Sequence, residues 1–313
     1  MSNPYPDWVI DRKLWGSFAT FTDYIIRKML AQKFPSKIID QNILAEEHSK
    51  TKFCDASEKQ KVRPEYDENG KISGYVADSE KDLDEIFLHP ERYAISEEET
   101  DVMYLHGTSN AVIDQMNATF ASAREAVKGY KDPARSWKKV LEDAWIMTYI
   151  DNHFRSGIFA RPPAITKEEF QDLLPFFQNI EKSIVEEFRD KDKIWLNPVL
   201  GRQRVIAADA DIIADGCIYD IKTVKRPVES VTKDYYQLLG YAALIHMLQN
   251  ATRSRLSEIE KKSYQKFGEI AEVALIFPLH LQIIKTNVKS WSHSAQDQYI
   301  NKILDALKKK SFS

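Results

Sequence analysis

Ala208-Asp209-Ala210-Asp211-Ile212-Ile213-Ala214-Asp215-Gly216-Cys217-Ile218-Tyr219-Asp220-Ile221-Lys222-Thr223 is the stretch on which the fold turns. Val205 to Ala214 and Cys217 to Val224 are rich in the residues that favour strands. Between them, Asp215-Gly216 tolerates the positive φ that a two-residue hairpin needs. Two antiparallel strands are therefore expected, with Asp211 before the turn and Asp220 after it. Folding the strands back brings the two carboxylates level. Side chains alternate along a strand, so Asp220 and Lys222 share a face. Ile212, Ile213, Ile218 and Ile221 mark both strands as core. Charges placed among them cost several kcal/mol unless they are paired or bound to a cation.

Outward from this hairpin the texture is mixed. Downstream, residues 232–249 have a helical period with Tyr236, Leu239, Ala243 and Met247 on one side. Glu272 to Phe277 and Leu281 to Thr286 are short apolar strands with Pro278 between them, and residues 294–310 predict a closing helix. Upstream, Trp195 to Leu200 is extended. Thr166-Lys167-Glu168-Glu169 is a capping box that starts a helix, with Pro175 expected to interrupt it. Residues 14–34, 108–129 and 134–155 predict helices, the last with Trp137, Leu141, Ala144, Trp145 and Thr148 on one stripe. Residues 35–100 are polar and poorly periodic. Within them, Asn69-Gly70 in the run from Tyr66 to Lys71 predicts a hairpin turn. The fold class is α/β (α+β), a central mixed sheet flanked by helices with a helical N-terminal region. The natural division is 1–160 and 161–313, with a soft boundary and a core that the two parts share if they form one unit.

The chain has 313 residues, of which 43% are hydrophobic and 29% charged, and its mean hydropathy is −0.45. That is enough for one large or two ordinary globular domains. The formal net charge is −3. This argues against a protein that coats nucleic acid, but not against one that touches a short length of backbone through a local basic patch. The two cysteines, Cys54 and Cys217, supply no disulfide framework, zinc ribbon or iron–sulfur ligand set. Met1 to Trp15 lacks the apolar run of a signal peptide, and no stretch approaches the roughly 18 apolar residues of a membrane span. A cytoplasmic protein away from the membrane is expected.

Two carboxylates and one ammonium on one face suit particular chemistry. Paired hard oxygen ligands suit Mg²⁺, which binds through one or two carboxylates and substrate phosphate. The carbonyl of Ile221 is a further candidate ligand. Lysine adds a positive charge and a proton-handling group, which makes a site for attack on a phosphodiester. Gln237 and Tyr241 stand four residues apart and share a helix face. Lys225 and Arg226 follow the second strand and Lys233 opens the next helix, where they can hold phosphates. The bland alternatives are an ion pair at a strand end and a solvated basic loop. Tyr235 and Tyr236 are the rings available for stacking on a base, with Tyr236 expected in the core. Cys217 beside a buried turn is expected to be inert. His106-Gly107-Thr108-Ser109 reads as a helix N-cap.

Taken together, Asp211, Asp220-Ile221-Lys222-Thr223 and Gln237-Leu238-Leu239-Gly240-Tyr241 resemble the PD-(D/E)XK nuclease superfamily, in its RecB-like and Cas4-like exonuclease branch. The resemblance covers about residues 176–290. It implies a restriction-endonuclease-like core, Mg²⁺ or Mn²⁺, and hydrolysis of DNA, less often RNA. It also implies a place for a protein partner in a recombination, repair or defence complex. On this resemblance Asp211 and Asp220 hold the metal, Lys222 serves the attacking water, and Gln237 and Tyr241 orient the lysine or the DNA. Members often add a histidine or glutamate from an upstream helix. His153 is the first candidate for that further metal ligand, with Glu187 or Glu186 next. The chain departs from the family at Ala208, where a glycine is usual, and at Ala210, where proline is usual. It also lacks the four cysteines with which some members hold an iron–sulfur cluster. The rival expectations are a restriction-like endonuclease on the same core and a catalytically silent nucleic-acid-binding or scaffold subunit.

Overall fold

The computed structural model describes residues 6, 9, 14–55, 62–66, 72–77, 102–105, 109–156, 163, 165–200, 208–250 and 264–288. The expected helix at 294–310, the turn at 67–71, and His106, Gly107 and Thr108 lie outside these residues. In chain order the elements begin with α1 (Trp15–Lys33), β1 (Ile38–Gln41), α2 (Leu44–His48), β2 (Lys52–Asp55), β3 (Val62–Tyr66), β4 (Ile72–Ala77) and β5 (Val102–Leu105). Next come α3 (Asn110–Lys131), α4 (Trp137–Ser156), α5 (Lys167–Ser183), β6 (Ile194–Leu196), β7 (Val199–Leu200) and β8 (Ala208–Asp209). The remainder are β9 (Ile212–Ala214), β10 (Cys217–Ile221), α6 (Pro227–Asn250), β11 (Glu272–Phe277) and β12 (Gln282–Asn287). Among the described residues no helix is long and apolar enough to cross a membrane.

The chain forms two compact units, Met1–Ile43 with Ala164–Ser313, and Leu44–Pro163. The sequence division at 160 falls near the second boundary, but the first 43 residues group with the C-terminal half. Two contacts explain this. β1 pairs in parallel with β6. Phe18 and Phe21 of α1 lie 5.7 Å from Phe176 and Phe177 of α5, respectively. A parallel pairing between strands so far apart in sequence leaves no local signature.

The first unit is a six-stranded mixed sheet in the order β1-β6-β9-β10-β11-β12. Strands β1, β6, β10 and β11 run one way; β9 and β12 run the other. One face packs on α6, through Trp195, Ile213, Ile218 and Leu275 against Leu238, Ala242 and Ile245. On the other face the Tyr219 ring meets Phe188 at 4.7 Å. Burial on both sides is why these strands read as apolar runs. The hairpin between β9 and β10 turns at Asp215 and Gly216, with φ of 43° and 74°, as the Asp-Gly pair requires. Asp215 also accepts hydrogen bonds from the backbone N–H groups of Asp192 and Lys193, at 2.7 and 3.0 Å. This ties the turn to the approach to β6.

Three local expectations need correction. Pro175 lies inside α5 without ending it; it sits on the solvent side, where a carbonyl freed by the missing N–H can be hydrated. α6 starts at Pro227, before the expected 232, because proline suits a first helical turn. Tyr236 is 55% exposed, whereas Tyr235 packs against the core. The capping box holds: Thr166 Oγ1 accepts from the Glu169 N–H at 3.2 Å, and Glu169 Oε2 from the Thr166 N–H at 2.7 Å.

In the second unit α3 and α4 pack together, β2 pairs with β5 in parallel, and β3 pairs with β4 antiparallel. Asn117 binds the backbone of Phe53 through both amide atoms, each at 2.9 Å. Phe53 and Phe120 meet edge to face at 4.7 Å.

Candidate active site

The register of the hairpin positions the two carboxylates. Cys217 stands opposite Ala214, Ile218 opposite Ile213 and Tyr219 opposite Ile212. One further step sets Asp220 opposite Asp211. There the ladder gives way to a side-chain bond, because the Ile221 N–H donates to Asp211 Oδ2 at 2.6 Å. The Asp211 carbonyl accepts from the Asn197 N–H at 2.8 Å. The carboxylate that ends β9 is thus held between its two neighbours.

Alternation along β10 sends Asp220 and Lys222 to the α6 side and Tyr219 to the other. The Lys222 backbone is fixed by its N–H donating to the Ile276 carbonyl at 2.8 Å, and by its carbonyl accepting from Val224 at 3.0 Å. Its Nζ lies 2.8 Å from Asp220 Oδ2, a charge contact outside the alignment of a directed hydrogen bond. Nζ also donates to Gln237 Oε1 at 3.1 Å, and Gln237 Nε2 donates to the Tyr241 hydroxyl. Gln237 and Tyr241 are one turn apart on α6, as their spacing predicts.

The electrostatics are those of charges crowded in a core. Burial, and next the Asp211 carboxylate, push Asp220 up to about 8, against the opposing pull of Lys222. Burial lowers the Lys222 ammonium, but Asp220, Asp211 and Asp234 together leave it above the ordinary lysine value. Burial raises the Tyr241 hydroxyl. Cys217 is 1% exposed and its thiol is pushed up to about 11 by burial, so it is an inert core residue.

One residue escaped the sequence reading. Asp234 on α6 is 8% exposed, its Oδ1 is 4.0 Å from Lys222 Nζ, and its Oδ2 is buried without a hydrogen-bond partner. It stands three residues before Gln237 and so on the same helix face, which was the available signal.

Lys225, Arg226 and Lys233 are exposed around the end of β10 and the start of α6. His153 lies in the second unit, buried, with its ring edge-on to Phe53 at 5.9 Å and to Phe120 at 5.7 Å. Glu187 accepts from the Tyr219 hydroxyl at 3.0 Å and pairs with Lys285. It therefore serves the face of β10 opposite to Asp220. Glu186 pairs with Lys33 and Arg189.

Among the described residues no three His, Cys, Asp or Glu side chains form a metal-holding group by themselves. Mg²⁺ does not need one. It binds through one or two carboxylates and keeps waters and substrate oxygens for the rest. Asp211 and Asp220 are two adjacent carboxyl groups, and burial together with the Asp211 charge disfavours the bare Asp220 carboxylate, a pair that fits a divalent cation of this kind. The chain matches no protein-family model, no curated protein and no solved structure.

Proposed function

We propose that this protein is a metal-dependent nuclease that hydrolyses DNA phosphodiester bonds, an exonuclease of RecB-like type on a restriction-endonuclease-like core. The observation that carries the proposal is the grouping of Asp211, Asp220 and Lys222 on one face at the end of β9 and β10, with Nζ 2.8 Å from Asp220. Asp211 and Asp220 would hold Mg²⁺ or Mn²⁺, with the Ile221 carbonyl as a further candidate ligand. When bound, the cation supplies Lewis acidity to a phosphoryl oxygen.

The remaining roles belong to the chain. The carboxylates keep Lys222 in its ammonium form. It acts as a fixed charge and hydrogen-bond donor, orienting the attacking water and offsetting negative charge on the pentavalent transition state. Gln237 holds Nζ in place, and Tyr241 holds Gln237. Lys225, Arg226 and Lys233 take neighbouring phosphates of the strand.

The test is incubation with linear and circular DNA, single- and double-stranded, and with RNA, with Mg²⁺ or with a chelator. Loss of linear DNA from its ends, only with Mg²⁺ and with circles intact, is the expected result. Cutting of circles would make it an endonuclease. Binding without cleavage under every condition would overturn the proposal in favour of a silent nucleic-acid-binding subunit.

A further inference from the structure

Lys222 and the carboxylates around it leave a charge problem. Asp211, Asp220 and Asp234 bring three carboxyl groups to one ammonium, a grouping that a divalent cation can enter. Such a cation must draw on Asp220, the carboxylate that Lys222 Nζ now contacts at 2.8 Å. The ammonium then needs another partner, because two cations on one carboxylate repel at short range. Asp234 is within reach, its Oδ1 4.0 Å from Nζ, and its buried Oδ2 has no hydrogen-bond partner. Asp234 and Gln237 stand on one face of α6, and Gln237 already binds Nζ at 3.1 Å. A shift of about 1 Å toward a usual charge-assisted distance takes Nζ to Asp234 while it stays on Gln237.

We propose that Asp234 receives the Lys222 ammonium when Asp220 turns to a divalent cation. Asp234 is a positioning residue: it frees Asp220 and keeps the lysine beside the reacting phosphate. This rests on the nuclease reading, since it takes Asp211 and Asp220 to be the cation's ligands.

The experiment is calorimetric titration of the full chain with Mn²⁺ alone, for the native protein and for Asp234→Asn, Asp234→Glu, Lys222→Ala and the double variant Lys222→Ala/Asp234→Asn. Asp234→Asn is expected to lose roughly 10–100-fold in Mn²⁺ affinity, the range for residues that act behind a metal ligand. Asp234→Glu is expected to recover most of that loss. In the Lys222→Ala background the Asp234→Asn loss is expected to vanish, because no ammonium then competes for Asp220. The melting temperature of metal-free Asp234→Asn is expected to equal or exceed that of the native protein, which separates this role from a structural one. Unchanged Mn²⁺ affinity in Asp234→Asn, or an equal loss with and without Lys222, overturns the proposal while the nuclease reading stands. A native protein that binds no Mn²⁺ removes both.

Discussion

The Ile221 N–H donates to Asp211 Oδ2 at 2.6 Å, so a candidate metal ligand also completes the pairing of the strand that carries the other ligand. This double duty gives a way to separate structure from chemistry. Asp211→Asn keeps an acceptor for the N–H and loses the charge. It should melt close to the native temperature while Mn²⁺ binding and cleavage disappear. Asp211→Ala leaves a part-buried N–H unpaired, at a cost of about 1–3 kcal/mol. Equal stability of the two variants in urea would show that the bond contributes nothing.

Gly216 supports the same alignment from the turn. Its φ is 74°, and a Cβ there would stand 2.5 Å from the Glu269 carbonyl oxygen. Gly216→Ala should therefore lose about 1–3 kcal/mol from backbone strain, with the contact against backbone adding to it. Urea denaturation reads the change. Because the turn sets the register that places Asp211 opposite Asp220, cleavage measured well below the melting temperature should fall as well.

Asp220→Asn should abolish cleavage and stabilise the metal-free protein. Folded Asp220 keeps its proton up to about 8, against an ordinary value of 3.8. Between these values the folded state binds more protons than the unfolded state. Stability through this group is therefore present at low pH and is lost as pH rises from about 4 to about 8. Asparagine removes that slope. Melting in the presence of a chelator should show Asp220→Asn ahead of the native protein by more at pH 8 than at pH 5. The reverse trend would mean that Asp220 is ionised and well paired without metal.

Much of this was legible because it is local. The Asp215-Gly216 turn fixes which residues face each other, and alternation fixes the face, so Asp211, Asp220 and Lys222 meet as their order requires. The i, i+4 spacing of Gln237 and Tyr241 carries directly into a hydrogen bond. What escaped was non-local. β1 joins the sheet through a partner strand far away in sequence, and nothing in its residues names that partner. Tyr236 was expected in the core because a short window of apolar residues fits more than one helical phase; Leu238, Ala242 and Ile245 set the actual one. A histidine on an apolar helix face reads alike whether it serves a metal or packs on rings. For His153 the structure supplies Phe53 and Phe120 as its neighbours.

DNA binding should weaken with salt although the chain carries a net charge of −3. Lys225, Arg226 and Lys233 are exposed near the site, and counterion release depends on local phosphate contacts, whatever distant charges do. Replacing each by alanine should lower the slope of log affinity against log salt by about 1. Fluorescence anisotropy with a labelled oligonucleotide, in a chelator to prevent cleavage, gives the slopes. A slope near zero in the native protein would rule out backbone recognition.

Lys222→Ala separates the lysine's chemistry from the metal's. The carboxylates of Asp211 and Asp220 remain, and Asp220 loses the ammonium that now lies 2.8 Å away. Mn²⁺ affinity should therefore be kept or improved, while turnover falls by a factor of 10²–10³, the scale for removing one preorganised group that faces developing charge. The Michaelis constant should change little, because Lys225, Arg226 and Lys233, the proposed phosphate contacts, are unchanged. Lys222→Arg keeps the charge but replaces a compact ammonium with a planar fork that does not fit between Asp220 and Gln237. Its activity should stay near that of alanine. Three measurements decide the matter together: calorimetry with Mn²⁺, single-turnover rates, and affinity for uncleaved DNA. Loss of Mn²⁺ binding with cleavage retained would assign the lysine to holding the fold, and would leave the two aspartates as the only chemical groups of the site.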